Sequence, residues 1–532
     1  MQNKNGMDKS EQKLITALAE KIAELGGRAY YVGGYVRDRV MEIPVKDVDI
    51  EVHGIAAAVL ESALGELGKP LSFGSSFGVY SLAGHDIDIA LPRAERPTGA
   101  GHRDFEIQID PFIGIGEAAR RRDFTMNALM QDVLTGEIAD PYGGVDDIRN
   151  RIIRHIDDRK FGEDPLRALR AAQFAARFGF RIAPSTIAIC RALDLTHLSS
   201  ERVELEMKKA LLESRQPSRF FESIREMDQL GFWFRELQQL IGLEQNPAFH
   251  PEGDVWTHTM QVLDRASRFR SYASDPYAFM LLALTHDFGK ITTTEFVNGA
   301  IHAYGHELQG AEIAERFLDR ICHYKYVKKY IRNMIPNHMR PNKLAEVRSA
   351  VKKTNRMFDD AAAPADLIYF AICDKPRLPH LSDADQTDGE GRQVTLSAEL
   401  MQQISETDIM GHAGNISEGN LVGDGINDAP ALRHAGNISE GNLAGESENE
   451  NPEKKREQER IDFLFERLEL YSDMMAKPHV TGKDLIAAGI RPGEDFGQLL
   501  DYAHKLRLAG IPKENALKQT LAYARKQQRH KN

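Results

Sequence analysis

Apolar positions along the chain change their period twice. Over residues 10–26 they recur at helical spacing, with Leu14, Leu18, Ile22 and Leu25 on one face and Gly26-Gly27 as a stop. From 29 to 145 short alternating runs take over: YYVGG, VDIEVHG, SFGVYSLAGHDIDIALPR, FEIQIDP and IADPYGG, with the helical AAAVLESALGELG among them. This predicts a modest α/β unit. After Tyr142 the pattern turns almost purely helical, from Ile148 to about Leu243, and residues 250–380 are again helical but rich in histidine. Helices resume at Ile461 and close on a basic amphipathic segment. The expected class is α+β. Its parts are an N-terminal helix 1–27, a mixed head 28–147, a helical neck 148–245, a histidine-rich domain 246–380, an insertion 381–460 and a helical tail 461–532.

Composition adds three constraints. The 532 residues suffice for about three or four domains. No run approaches the roughly 18 apolar residues needed to span a bilayer, and MQNKNGMDKSEQ carries no apolar signal segment. The three cysteines, Cys190, Cys322 and Cys373, are too scattered for a disulfide framework or zinc cluster. A reducing cytoplasm is the expected compartment, with no membrane or DNA partner.

A net charge of −11 argues naively against a polyanionic partner. Its distribution reverses that. Residues 382–462 hold 18 acidic against 6 basic side chains, whereas 149–193 hold 10 basic against 4 acidic and 505–531 hold 8 against 1. Two basic tracts flank one acidic insert. Inside it HAGNISEGNL occurs at 412–421 and again at 434–443, enclosing GDGINDAPAL. Two copies are too few for a solenoid, and a solvated flexible insertion is expected. GDGINDAPAL resembles the hinge motif of P-type ATPases, but the chain has neither their aspartyl-phosphate loop nor membrane helices.

The chemistry concentrates in YYVGGYVRDRVMEIPVKDVDIEVHG, residues 30–54. On a strand Val48 and Ile50 point one way and Asp47, Asp49 and Glu51 the other. Carboxylates converging on one spot repel unless a cation lies between them, and magnesium binds through one or two carboxylates plus substrate phosphates. Gly33-Gly34 offers backbone N–H groups to a phosphate, with Arg37 nearby to neutralise it. Asp-x-Asp alone is as readily a solvated strand face; the Gly-Gly and Val-Arg-Asp just before it favour metal-assisted nucleotidyl transfer. In HDIDIALP either Asp86 or Asp88 could add a third carboxylate, and the sequence leaves open which. The polar stretch Arg93–Asp104 reads as a mobile loop.

Arg120-Arg121-Arg122 opens a short helical MNALMQD, where cations are disfavoured, so an anionic ligand is expected. In FGEDPLRALRAAQFAARFGF, Asp164, Arg167 and Arg170 share one side of a helix at i, i+3, i+6. Asp164 can accept from an exocyclic amino group and Arg167 can donate to a ring acceptor, a pair that cytosine and adenine both present. Guanine and uracil would set a carbonyl against the carboxylate.

GGYVRD, KDVDIE, RRRDFTMNAL, DPYGGVDDI and GEDPLRALRAAQFAARFGF, in this order, resemble the bacterial-type tRNA nucleotidyltransferases. These are the CCA-adding enzymes of the polymerase-β-like superfamily, with bacterial poly(A) polymerases close by, and the match covers about residues 28–245. The resemblance implies a five-stranded head sheet, and magnesium on Asp47 and Asp49 as the catalytic carboxylates. It implies triphosphate contacts from Gly34, Arg37 and Arg122, and base selection by Asp164, Arg167 and Arg170. Many relatives carry another arginine where this chain has Gln173. The expected reaction is template-independent addition of CCA to a tRNA 3′ end from CTP and ATP, releasing pyrophosphate. The basic tracts would track the RNA backbone.

A second constellation comprises His258 in VWTHTMQVLD, His286-Asp287 in LLALTHDFGK, His306, His338 and Asp374 in AICDKPR. Imidazoles and carboxylates on successive helices suit a divalent transition metal or magnesium inside a bundle. The set resembles the HD phosphohydrolase superfamily, which implies ligands at His258, His286, Asp287 and Asp374 and a phosphatase or phosphodiesterase activity. The alternatives are a CC-only, A-only or poly(A)-adding enzyme, a protein that is chiefly an HD phosphohydrolase, and an RNA-binding protein with an inactive head. The Arg93–Asp104 stretch favours full CCA addition, since CC-only relatives lack a loop there.

Overall fold

The structure is a computed structural model. It describes residues 9–45, 47–72, 78–85, 87–97, 105–375, 452–493 and 495–531. The chain divides into two compact units, Met1–His338 and Met339–Asn532. Among the described residues no helix is long and apolar enough to cross a membrane.

The first unit opens with α1 (Lys9–Glu24), which buries Ile15, Leu18, Ala19 and Ile22. Of the face expected from spacing Leu18 and Ile22 are inside, while Leu14 is half-buried and Leu25, past the helix end, is exposed. The head continues through β1 (Arg28–Val32), α2 (Gly34–Val40), β2 (Val48–His53), α3 (Ala57–Leu67), β3 (Pro70–Ser72), β4 (Val79–Leu82) and β5 (Ile87–Ala90). Next come β6 (Arg93–Pro97), β7 (Phe105–Ile109), α4 (Ile115–Arg120), β8 (Met130–Asp132), β9 (Ile138–Ala139) and α5 (Gly144–Arg149). One sheet runs β3-β4-β5-β2-β1-β8-β9. Only β2 and β5 pair in parallel within it; the other neighbours are antiparallel. Seven strands rather than five result because β3 and β9 extend the edges with three and two residues, too short for an alternating pattern to register. The stretch from Arg93 also departs from its reading as a loop. Arg93–Pro97 pairs antiparallel with Phe105–Ile109 as a separate two-stranded sheet, because cross-strand pairing overrides a polar composition. The middle of that stretch, 98–104, lies outside the described residues, as do Asp86 and the duplicated insert.

The neck follows: β10 (Ile152–Ile153), α6 (Asp158–Gly162), α7 (Leu166–Phe178), β11 (Arg181–Ile182), α8 (Pro184–Arg191), α9 (Ser200–Glu213), α10 (Ser218–Glu226) and α11 (Arg235–Gln238). Helix α7 packs between α9 and α10. Edge-on contacts among Phe220, Phe221 and Phe234 fill the core beneath.

The remainder comprises α12 (Val255–Ala266), α13 (Pro276–Thr285), α14 (Lys290–Thr293), β12 (Thr294–Val297), β13 (Ala300–Ala303), α15 (His306–Ile321) and α16 (Lys325–Met334). Every residue of α13 from Tyr277 to Thr285 is buried, so this all-round apolar helix forms the bundle's axis. The β12–β13 hairpin interrupts a region expected to be wholly helical; Asn298-Gly299, both at positive φ, closes it.

The second unit is helical. It contains Arg340–Glu346, Val351–Asp360, Pro364–Cys373, Pro452–Ala476, Gly482–Ala487, Phe496–Leu508 and Lys513–Lys531. Its core joins Val480, Leu485, Leu499, Ala503, Ala516 and Ala524. Residues 452–460, expected in the flexible insertion, form the first turns of the 25-residue Pro452–Ala476 helix, which their Lys/Arg/Glu content supports. The division between units falls inside the 246–380 span read as one domain.

Candidate functional site

Strand β1 delivers the chain to Gly33, which caps α2 at φ 67°, a conformation that favours glycine. A Cβ there would stand 3.0 Å from Arg122 Nη1 and 3.7 Å from Asp49 Oδ2. The Gly-Gly turn, the second carboxylate of Asp-x-Asp and an arginine 89 positions downstream of that turn therefore meet. Asp49 also lies beside Asp88, because β2 and β5 pair in parallel with those residues in register. Cross-strand partners share a face, so the third carboxylate of this site is Asp88. Burial raises the Asp49 pKa, Asp88 and Asp47 add to it, and Arg122 opposes. Asp47 is exposed at the mouth. Oxygen donors that repel one another are the donor set that a hard divalent cation satisfies, so these residues fit magnesium.

Two residues further along β2, Glu51 is fully buried. It contacts His53 Nε2 at 3.0 Å and Arg121 and Arg122 at 3.4 Å each. Burial pushes its pKa up, but His53 and the two arginines outweigh that and hold it below the usual carboxylate range. Glu51 thus anchors both arginines from beneath. Their buried Nε atoms make no hydrogen bond among the described residues.

Arg37 stands differently from a solvent-facing phosphate ligand. It is 5% exposed, donates to Asp38 at 2.7 Å and to Asn127 Oδ1 at 2.8 Å, and lies over the Phe174 and Phe178 rings of α7. Burial lowers its pKa and Asp38 opposes. Asn127 passes the contact on, donating to Asp123 Oδ1 at 2.8 Å; Asp123 Oδ2 in turn accepts from Arg170 Nε at 2.8 Å. Burial raises the Asp123 pKa, but Arg170 and Asn127 bring it below its ordinary value. A buried polar chain therefore links the helix after Gly33 to α7.

The i, i+3, i+6 set lies along that linkage. Asp164 accepts from Leu166 N and from Arg202 Nη2, each at 3.1 Å. Arg167 donates to the carbonyls of Lys160 and Arg121, both at 2.8 Å. Arg170 adds a 3.8 Å contact with Glu206. Gln173 is buried in the same helix. Arg202, Asp123 and Asn127 carry weight that spacing did not reveal. Asp123 and Asn127 at least sit in the RRRDFTMN run, whereas nothing in sequence marks Arg202.

The histidine constellation assembles in the same unit. His258 lies on α12, His286 caps the C-terminal end of α13 with Asp287 next after it, and His306 begins α15. With His338 all five are at most 6% exposed. Asp287 Oδ2 stands 3.6 Å from His258 Nε2 and 3.2 Å from His286 Nε2; Oδ1 stands 3.5 Å from His306 Nε2. Asp287, His306 and His338 form a second triad about the same carboxylate. Each Nδ1 has an acceptor: Ala283 O at 3.0 Å for His286, Ala303 O at 2.8 Å for His306, Ile335 O at 2.6 Å for His338 and Glu252 Oε1 at 2.7 Å for His258. Those contacts put the proton on Nδ1 and the lone pair on Nε2, toward Asp287, the arrangement of metal-binding imidazoles. Burial pushes the Asp287 pKa up, but the Lys290 ammonium, at 2.7 Å, opposes this and brings it well below the ordinary range. Glu252 and Lys290 were not singled out in sequence. Asp374 ends the Pro364–Cys373 helix of the second unit.

Two family models match. Residues 29–154 match the poly(A) polymerase head domain and residues 255–375 the HD domain. The chain is 38% identical over 326 residues to a multifunctional CCA protein of Actinobacillus pleuropneumoniae serotype 5b, covering 60% of this chain and 77% of that protein. With the multifunctional CCA protein of Stenotrophomonas maltophilia it shares 35% over 394 residues, covering 72% and 94%. Among solved structures, an apo CCA-adding enzyme superposes with a TM-score of 0.59 at 18% identity, over 97% of this chain and 96% of that one. The Thermotoga maritima CCA-adding enzyme complexed with tRNA gives 0.58 at 19%, over 97% and 96%. At such identities the likeness is one of fold.

Proposed function

This chain belongs to the multifunctional CCA protein family, and we propose that it adds C, C and A to the 3′ end of tRNA in the cytoplasm, taking CTP and ATP without a nucleic-acid template. The observation that carries the reading is the meeting of Asp49, Asp88, Gly33 and Arg122 at one end of the head sheet. Asp47 and Asp49, with Asp88 beside them, would hold magnesium, which supplies charge neutralisation at the triphosphate and a more acidic terminal hydroxyl. The Gly33-Gly34 turn offers backbone N–H groups to the phosphates. Arg122, anchored by Glu51, balances the charge that grows on the leaving pyrophosphate. The 3′ oxygen forms its bond to the α-phosphorus as the bond to pyrophosphate breaks. Arg37 acts through Asn127 and Asp123, keeping α7 aligned with α2 and the Gly33-Gly34 turn. Asp164 exchanges Arg202 for the exocyclic amino group of cytosine or adenine, and Arg167 donates to the ring nitrogen.

The test is incorporation of labelled CTP and ATP into tRNA ending at the discriminator base. Asp47→Ala is expected to lower the rate at least about 1,000-fold, the order lost with an electrostatic catalytic group. A rate within twofold of the unsubstituted protein would remove Asp47 from the site, and long runs of A alone would make the enzyme a poly(A) polymerase.

A second activity has its own support, the four Nδ1-anchored imidazoles around Asp287. This nitrogen-rich set suits a divalent transition metal, which supplies an activated water for phosphoester hydrolysis. Asp287→Ala should abolish phosphatase activity and leave transfer intact. Whether Asp374 belongs to the ligand set is read by the same assay on Asp374→Ala.

A further inference from the structure

Between Arg320 and Arg332 the chain carries Arg320, Lys325, Lys328, Lys329 and Arg332 with no acidic residue, and three tyrosines interleave with them. Helix α16 sorts this stretch. Val327, Tyr330, Ile331 and Met334 are buried, which leaves Lys325, Tyr326, Lys329 and Arg332 on the outer face. Tyr324 is 40% exposed and Tyr326 53%, their ring centroids 5.8 Å apart. Lys328 pairs with Asp319 and Arg332 with Glu315. Lys325 and Lys329 have no carboxylate within 4.0 Å among the described residues.

This face adjoins α9. Ser200 Oγ meets His323 Nε2 at 2.9 Å, and Lys208 Nζ stands 5.0 Å over the Tyr324 ring. The outer side of α9 carries Arg202, Leu205, Lys208 and Lys209 together with Glu201, 3.5 Å from His323, and Glu213, paired with Arg177; Arg202 holds Asp164. One 14-residue helix, about 21 Å long, thus joins the candidate base-reading carboxylate to a basic, aromatic surface. A cation cluster alone would suit any acidic partner. Exposed rings alternating with lysines are instead the pattern that takes a single nucleic-acid strand, phosphates on the ammonium groups and bases on the rings.

We propose that α9 and the outer face of α16 bind the single-stranded 3′ segment of the RNA substrate, with Tyr324 and Tyr326 as stacking surfaces and Lys208, Lys325 and Lys329 as phosphate contacts. The inference rests on the transfer reading in that the strand is the one whose end reaches Asp164.

The test uses the full-length protein and an RNA hairpin with a four-nucleotide 3′ overhang, alongside the same hairpin made blunt. Filter retention over a salt series reads affinity; CMP and AMP incorporation into tRNA reads transfer. Tyr324→Ala with Tyr326→Ala should weaken overhang binding about tenfold or more, and phenylalanine at both positions should retain it. Lys325→Glu with Lys329→Glu should reduce the log–log salt slope by about 1.4. The KM for CTP and the thermal midpoint should not move. Overhang affinity and salt slope unchanged in both variants would overturn the proposal. So would equal losses for the overhang and blunt hairpins, or lysine variants that lose only an acidic peptide. Absent incorporation by the unsubstituted protein would instead overturn the transfer reading, while filter retention still decides the surface.

Discussion

A carboxylate removed from water resists ionisation, and Asp264 on α12 shows the consequence for stability. It accepts from Ser218 N at 2.9 Å and Ser218 Oγ at 2.7 Å. Burial nonetheless pushes its pKa from 3.8 to about 6, with Glu222 adding and Arg219 opposing. A raised acid favours the protonated form in the folded state. Its contribution is therefore fully present below pH 3.8 and is lost as pH rises through about 6. At pH 8 that loss is about 3 kcal/mol. Asp264→Asn keeps an acceptor for Ser218 without the charge, so it should melt several degrees higher than the parent at pH 8 and match it at pH 4. Denaturation across that range checks this; a pH-independent difference would contradict it. Individual residues were unevenly legible in the sequence. Asp47 and Asp49 stood out because a two-residue period aims both at one face. Asp86 and Asp88 could not be separated, because only the register of β2 against β5 decides between them. Asp123, Asn127 and Glu252 act through partners up to 90 positions away, which local spacing does not encode.

At the scale of elements, α14 and α15 cross where both lack side chains. A Cβ on Gly289 would fall 1.8 Å from His306 O and 2.7 Å from Gly310 N. Its φ of −63° is ordinary, so the glycine of His-Asp-Phe-Gly-Lys is required by contact rather than by backbone angle. Gly289→Ala must displace the start of α15 and with it His306 from Asp287. The expected result is a loss of about 3 kcal/mol in chemical denaturation, together with at least tenfold weaker divalent-metal binding by titration calorimetry. Unaltered metal affinity would show that the crossing does not set the ligand geometry. Long amphipathic helices and the alternating head strands were readable because their periods extend over many residues. The β12–β13 hairpin, β6 and the short edge strands were not, since each spans five residues or fewer and depends on its pairing partner.

For the whole molecule, net charge was a poor guide and its distribution a better one. The acidic excess concentrates between 382 and 462, while basic side chains gather on the neck, on α16 and at the C-terminal end. The two proposed activities draw on separate chemistry within the first unit: a carboxylate cluster in the head sheet and an imidazole-rich one in the helical bundle. The parallel seam of β2 and β5 has one more consequence. Its ladder hydrogen bonds hold together two strands whose side chains Asp49 and Asp88 push apart, so without a cation the sheet folds against a small internal spring. A divalent ion would act as a strut across that seam. At about 100 times its dissociation constant it should add about 2.7 kcal/mol to the folding free energy of the head. Calorimetry in magnesium and in chelator would read this as a higher melting temperature with the ion. Asp88→Asn should raise the chelator value and narrow the gap; an equal gap in both proteins would mean that the seam carries no such strain.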